Sequence, residues 1–133
     1  MSANPAPGYK QYPKHRISTQ PAKVRVQVTH DGETIADTRN AIELHETHVG
    51  HVVAPVVYYI PRKDVKMERL TRTTHSTHCP FKGEASYYTL STDGLTVANA
   101  AWSYEQPYDE MSVIKERLAF YPDKVDSISV VQE

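Results

Sequence analysis

Between Lys23 and Thr29 the chain alternates valine with polar residues: Val24, Val26 and Val28 against Arg25, Gln27 and Thr29. Successive side chains leave a strand on opposite sides, so a period of two marks a strand with one buried face. His30-Asp31-Gly32-Glu33 reads as a turn with glycine at the position needing positive φ, and Thr34 to Asp37 returns as the partner strand. Ala41, Ile42 and Leu44 predict a third short strand before a histidine-bearing connection. Val52 to Ile60 is β-branched and aromatic, a strand stopped by Pro61. Arg62 to Val65 predicts a tight turn or one helical turn, and Met67 to Thr74 another strand. Ala85–Leu90 and Leu95–Tyr104 predict a hairpin around Ser91-Thr92-Asp93-Gly94. One helix is predicted: Asp109 can cap it, Val113, Ile114, Arg117 and Leu118 recur at helical spacing, and Pro122 ends it. Val125 to Val131 forms a last strand. Many short strands with one late helix predict a mainly β fold, bordering on α+β, of compact antiparallel sheets.

Composition narrows this picture. Residues 1–22 hold Pro5, Pro7, Pro13 and Pro21 and almost no aliphatic side chains, so they predict a flexible arm ahead of a single domain over 23–133. Lys10, Lys14, His15 and Arg16 give that arm a basic character suited to an anionic partner. Fifteen basic and sixteen acidic residues nearly cancel, which argues against a general grip on nucleic acid. The single cysteine cannot form an internal disulfide, and no apolar leader stretch opens the chain. The longest apolar run, Val52 to Ile60, contains Pro55 and falls short of the about 20 residues a membrane helix needs. These features predict a soluble, cytoplasmic protein.

Four separated motifs carry a family likeness: Tyr58-Tyr59-Ile60-Pro61-Arg62-Lys63-Asp64-Val65, Cys79-Pro80-Phe81-Lys82-Gly83-Glu84-Ala85-Ser86-Tyr87, Ala101-Trp102-Ser103-Tyr104 and Ala119-Phe120-Tyr121. In this order they resemble the bacterial and fungal family called domain of unknown function 427, over roughly Val24 to Val131. The resemblance implies a β-tent arrangement, two twisted antiparallel sheets meeting at an angle. A nucleotidyltransferase-like label also attaches to the family, but the Gly-Ser dyad with spaced aspartates that such enzymes use to hold magnesium is missing here. β-Tent relatives carry zinc on paired Cys-x-x-Cys knuckles, which one cysteine cannot build. His48 to Pro55 is longer and more apolar than the connection the resemblance implies.

Three constellations bear chemistry. Cys79 has His78 and Lys82 nearby as groups able to favour a thiolate, which makes Cys79 and His78 the candidate catalytic residues; packing is the commoner role of a lone cysteine. His45, His48 and His51 repeat at three-residue spacing, as do His75 and His78, but residues three apart on a strand do not share a face, so no metal site is assigned. The third constellation is the preferred one. Arg62, Asp64, Lys82 and Gly83 lie on turns, and Tyr87, Trp102, Tyr104 and Tyr121 supply aromatic walls. Aromatic surfaces with a few cationic and hydroxyl groups suit a small anionic or aromatic ligand, and Gly83 would let backbone N–H groups approach an anion. The expected function is therefore small-ligand binding, with no cofactor specified. The alternatives are an enzyme using Cys79 as nucleophile or redox centre, and a protein-interaction module.

Overall fold

Val26, Val28 and His30 are all buried on one face of their strand, as the alternation requires. The structure is a computed structural model that describes residues 3–132. It contains one α-helical turn, α1 (Gly8–Gln11), several short 3-10 turns, and the strands β1 (His15–Pro21), β2 (Arg25–His30), β3 (Glu33–Thr38), β4 (Ile42–His48), β5 (His51–Val52) and β6 (Val57–Tyr59). After them come β7 (Leu70–Cys79), β8 (Gly83–Ser91), β9 (Thr96–Ser103), β10 (Ala119–Phe120) and β11 (Ser127–Val131). They form three antiparallel sheets, ordered β11–β2–β3, β1–β4–β5 with β6 also on β4, and β10–β9–β8–β7. The mainly β, antiparallel fold is as expected. No helix among the described residues is long and apolar enough to cross a membrane.

Alternation along β8 divides the interior in two. Tyr88 and Leu90 join Val26, Val28, Ile35, Ile60 and Leu118 in a core against the β11–β2–β3 sheet. Ala85 and Tyr87 point the other way, joining Ile42, Leu44, Tyr59, Tyr104, Met111 and Ile114 against the β1–β4 sheet. The β7–β10 sheet is thus covered on both faces, and each face has its own chemistry.

Three local expectations need correction. The segment expected to be a flexible arm contributes β1, which pairs with β4 from His15↔His48 to Pro21↔Ile42. Strand pairing uses backbone groups that every non-proline residue carries, so scarce aliphatic side chains did not preclude it. Residues ahead of β1 also dock: Gly8 N–H donates to Pro80 O at 2.9 Å, and Tyr9 packs edge-on to Phe81.

The stretch Val52–Ile60 is split into β5 and β6 around Pro55, which has no N–H for a ladder. The expected helix is instead a kinked 3-10 segment, Asp109–Ile114, followed by a turn at Lys115 and Glu116 and then extended chain. Leu118 exchanges two backbone hydrogen bonds with Ile60, at 2.8 and 2.9 Å, and is fully buried. That tertiary pairing overrides the helical period, and Glu116 takes a φ of +62° as the chain turns into it.

Candidate functional site

On the β7–β10 sheet, Tyr87 and Trp102 are direct cross-strand partners. Trp102 lies against Tyr121 with ring centroids 4.5 Å apart, and Tyr87 is nearly parallel to Tyr121 at 6.5 Å. Hydroxyls tie the rings together: Tyr121 donates to Tyr87 at 3.4 Å, and the Tyr87 hydroxyl is 2.9 Å from Thr77 Oγ1. The Trp102 indole N–H donates to the Tyr59 hydroxyl at 3.3 Å, and Tyr104 packs beside Tyr59. Burial pushes the Tyr59, Tyr104 and Tyr121 phenols well above their ordinary value, so all three are neutral across the physiological range.

Trp102 and Tyr121 also border a half-enclosed cleft of about 410 Å³. Val56, Phe120, Ile128 and Val130 help to line it, and its surface is mostly apolar. The Lys124 ammonium sits 5.0 Å from the centre of the Tyr121 ring.

A second feature is a largely buried charge cluster between the β1–β4 and β7–β10 sheets. Ile42, Leu44 and Glu46 follow one another on one face of β4, so the inward apolar row continues into a carboxylate. Glu46 accepts from Lys82 Nζ at 2.8 Å and lies 2.8 Å from His15 Nε2. The Lys82 and Glu46 side chains are only 12% and 16% exposed. Burial opposes the charge on Glu46, but the Lys82 and His15 contacts outweigh it and hold its carboxyl below the usual carboxylate range. His15 stacks on Phe81 at 4.2 Å, and its Nδ1 is 3.4 Å from His48 Nδ1.

The residues singled out in the sequence therefore fall into separate places. Tyr87, Trp102, Tyr104 and Tyr121 share one face with the half-buried Cys79. Lys82 lies on the same side of the sheet, but its ammonium is engaged by Glu46. Arg62 is on the opposite face, bonded to Tyr88 and Ser103. Asp64 accepts from Thr38 Oγ1 at 2.7 Å, beside a more open depression that includes Lys63 and Lys66. The single concavity expected to unite Arg62 and Asp64 with Lys82 is thus not formed. The strand alternation that puts Tyr87 and Tyr88 on opposite faces explains why.

Gly83 has a φ of +114°, and a Cβ there would come within 3.4 Å of Gln106 O. The glycine accommodates the turn and the neighbouring loop, with Tyr108 N–H donating to Lys82 O. His78 is directed away from Cys79: its Nδ1 meets Glu84 at 3.0 Å and its Nε2 meets the Tyr108 hydroxyl at 3.2 Å. The two groups expected to activate Cys79 are both engaged elsewhere. Among the histidines, His48 meets His15 across the sheet, His45 lies 3.3 Å from Glu43, and His51 is exposed on β5. Among the described residues, no three or more His, Cys, Asp or Glu side chains are placed to hold a metal ion.

Sequence reasoning missed Glu46, Tyr59 and His15 as members of this region. For Glu46 a signal existed in the Ile42-Leu44-Glu46 alternation, which aims a carboxylate inward.

Fold and site together define a mainly antiparallel β domain whose central sheet carries an aromatic face bordering a cleft. The chain belongs to the family described as Domain of unknown function (DUF427), whose model matches residues 18–131. That match includes most of β1, which adds to the reasons for placing this strand within the folded domain. No match to a curated protein is found.

Proposed function

We propose that this domain binds a small, flat, mostly apolar molecule in the cleft beside Trp102 and Tyr121. The cleft itself carries the reading: its volume of about 410 Å³ lies within the range of small-molecule sites, and aromatic and aliphatic side chains dominate its lining. Lys124 beside the Tyr121 ring would favour a ligand with one anionic substituent over its neutral counterpart. The single cysteine, with no internal partner, fits a cytoplasmic setting for this role.

Trp102 is the only tryptophan, so its indole N–H is a single reporter in a proton–nitrogen NMR spectrum. Titration with 1-naphthalenesulfonate should shift that signal, and 1-naphthol should do so more weakly. Val130→Phe, at a partly exposed position on the cleft wall, should weaken both at least tenfold while leaving the fold intact. An indole signal that ignores both compounds, or unchanged affinity in the filled variant, would refute the reading.

A further inference from the structure

The opposite face of the β7–β10 sheet ends in a concentration of donors that neither the cleft nor the Glu46 cluster uses. Ser86 and Ser103 are cross-strand partners, and Arg72 is the partner of Tyr88. Their regular spacing aims the two serines and Tyr88 to one side, where Arg62 arrives from the 3-10 turn after β6.

Four of these residues, Arg62, Arg72, Ser86 and Tyr88, converge on the Glu105 carboxylate, and Ser103 joins them through Arg62. Glu105 Oε2 accepts from the Tyr88 hydroxyl at 2.7 Å and from Arg62 Nη2 at 3.3 Å. Its Oε1 accepts from Ser86 Oγ at 2.9 Å and Arg72 Nε at 3.1 Å, with Arg72 Nη2 also at 2.9 Å. Arg62 Nη2 reaches Ser103 Oγ at 3.4 Å, and Arg62 Nε is fixed by Glu116 O at 2.6 Å.

Two guanidiniums thus face one carboxylate, which leaves a positive charge in excess. Arg72 is 60% exposed, so this charge is open to solvent. Glu105 lies beyond the end of β9, outside the strand ladder, and can withdraw without breaking a strand pair.

We propose that Arg62, Arg72 and the hydroxyls of Ser86, Tyr88 and Ser103 form a receptor for a phosphate group, which Glu105 occupies as a built-in plug. A phosphate dianion matches both guanidiniums, which present paired N–H groups to its oxygens, whereas the carboxylate matches only one charge. Free phosphate and the phosphomonoester of a small metabolite share this chemistry. The site shares no residue with the lining of the aromatic cleft.

The test is an NMR titration of the full chain with inorganic phosphate, methyl phosphate and acetate at pH 7.5 and constant ionic strength. Phosphate should shift the amides of Ser86, Ser103 and Glu105 and leave the Trp102 indole unmoved. Acetate should bind at least tenfold more weakly. Glu105→Gln should tighten phosphate binding about tenfold, and adding Arg72→Gln to it should abolish that gain. Glu105→Asp, which shortens the plug and keeps its charge, should give a smaller gain and guards against misfolding of the glutamine variant. Tighter binding of methyl phosphate than of phosphate would assign the site to an ester, and the reverse to the free ion; either supports the receptor. The proposal is overturned if phosphate perturbs these amides no more than chloride does, or if the Glu105 variants bind it no better than the native chain.

Discussion

The two faces of β8 and β9 are built from adjacent residues and work in opposite ways. On one, Ala85, Tyr87, Trp102 and Tyr104 present broad surfaces held mainly by area, with the Trp102–Tyr59 and Tyr121–Tyr87 contacts at 3.3–3.4 Å, long for their type. On the other, Ser86 and Tyr88 donate short, directed bonds of 2.9 and 2.7 Å to a carboxylate. Area burial is cumulative and tolerates small shifts, whereas a charged cluster owes its value to geometry and repays much of its desolvation cost only in one arrangement. The aromatic face should therefore set stability, and the charged face should set selectivity.

The comparison is most severely tested by truncating Tyr59, which is buried and joins Trp102 to Tyr104. Tyr59→Ala should cost about 3–5 kcal/mol in urea unfolding. Glu105→Gln on the other face should cost no more than about 1 kcal/mol, because its ion pairs are partly exposed. Equal losses from the two would erase the distinction.

Glu46→Gln should fall between them, at about 2–3 kcal/mol, since it strands Lys82 and His15 in a largely buried position. Changing Lys82→Met together with Glu46→Gln should recover part of that loss in the same assay. No recovery would mean that packing around Glu46, rather than the unpaired ammonium, carries the cost.

The pH dependence separates the groups by sign. Glu46 and Glu105 are both held below the ordinary 4.5, so their contribution is present above that pH and lost as the pH falls through the lower folded values. Tyr59 and Tyr104 are raised above 10.0, so theirs is present below pH 10 and lost as the pH climbs further. Melting temperature should fall on both sides of a neutral plateau. Glu46→Gln should flatten the acid side and Tyr59→Phe the alkaline side; a Tyr59→Phe curve that still falls as steeply above pH 10 would remove that phenol from the account.

The smallest expected effect lies away from both faces, in the turn joining β4 to β5. Val49 has a φ of +52°, unfavourable for a β-branched residue, and is followed by Gly50 at +78°. Val49→Asn creates the Asn-Gly pair this turn prefers and should stabilise the protein by roughly 0.5–1 kcal/mol. A loss of stability would show that the exposed valine makes a contact worth more than the relieved strain.

Much of the fold was legible wherever one side of a strand was apolar: the β2–β3 and β8–β9 hairpins follow directly from alternating residues. Pairing by backbone alone leaves no such trace, which is why β1 read as an arm. The Ile114–Leu118 stretch carried a helical period that a single long-range pairing with Ile60 overruled. At the site, Tyr87, Trp102, Tyr104 and Tyr121, read in the sequence as aromatic walls, do come together on one face. Arg62 was assigned to the wrong side because neither its motif nor its charge tells which face of a distant sheet its turn will meet. Glu105 gave no signal at all, since its partners are four residues drawn from three segments.

The pairing of β11 with β2 also governs how the protein can be made. Ile128 and Val130 sit opposite Val28 and Val26, yet they are translated about a hundred residues later. At ordinary elongation rates the β2–β3 hairpin waits roughly 5–20 s with one edge unpaired and its valines uncovered. A message truncated shortly before Ser127 would leave that edge open for good, so aggregation of the incomplete chain, more than loss of a binding residue, is the expected fate of such products.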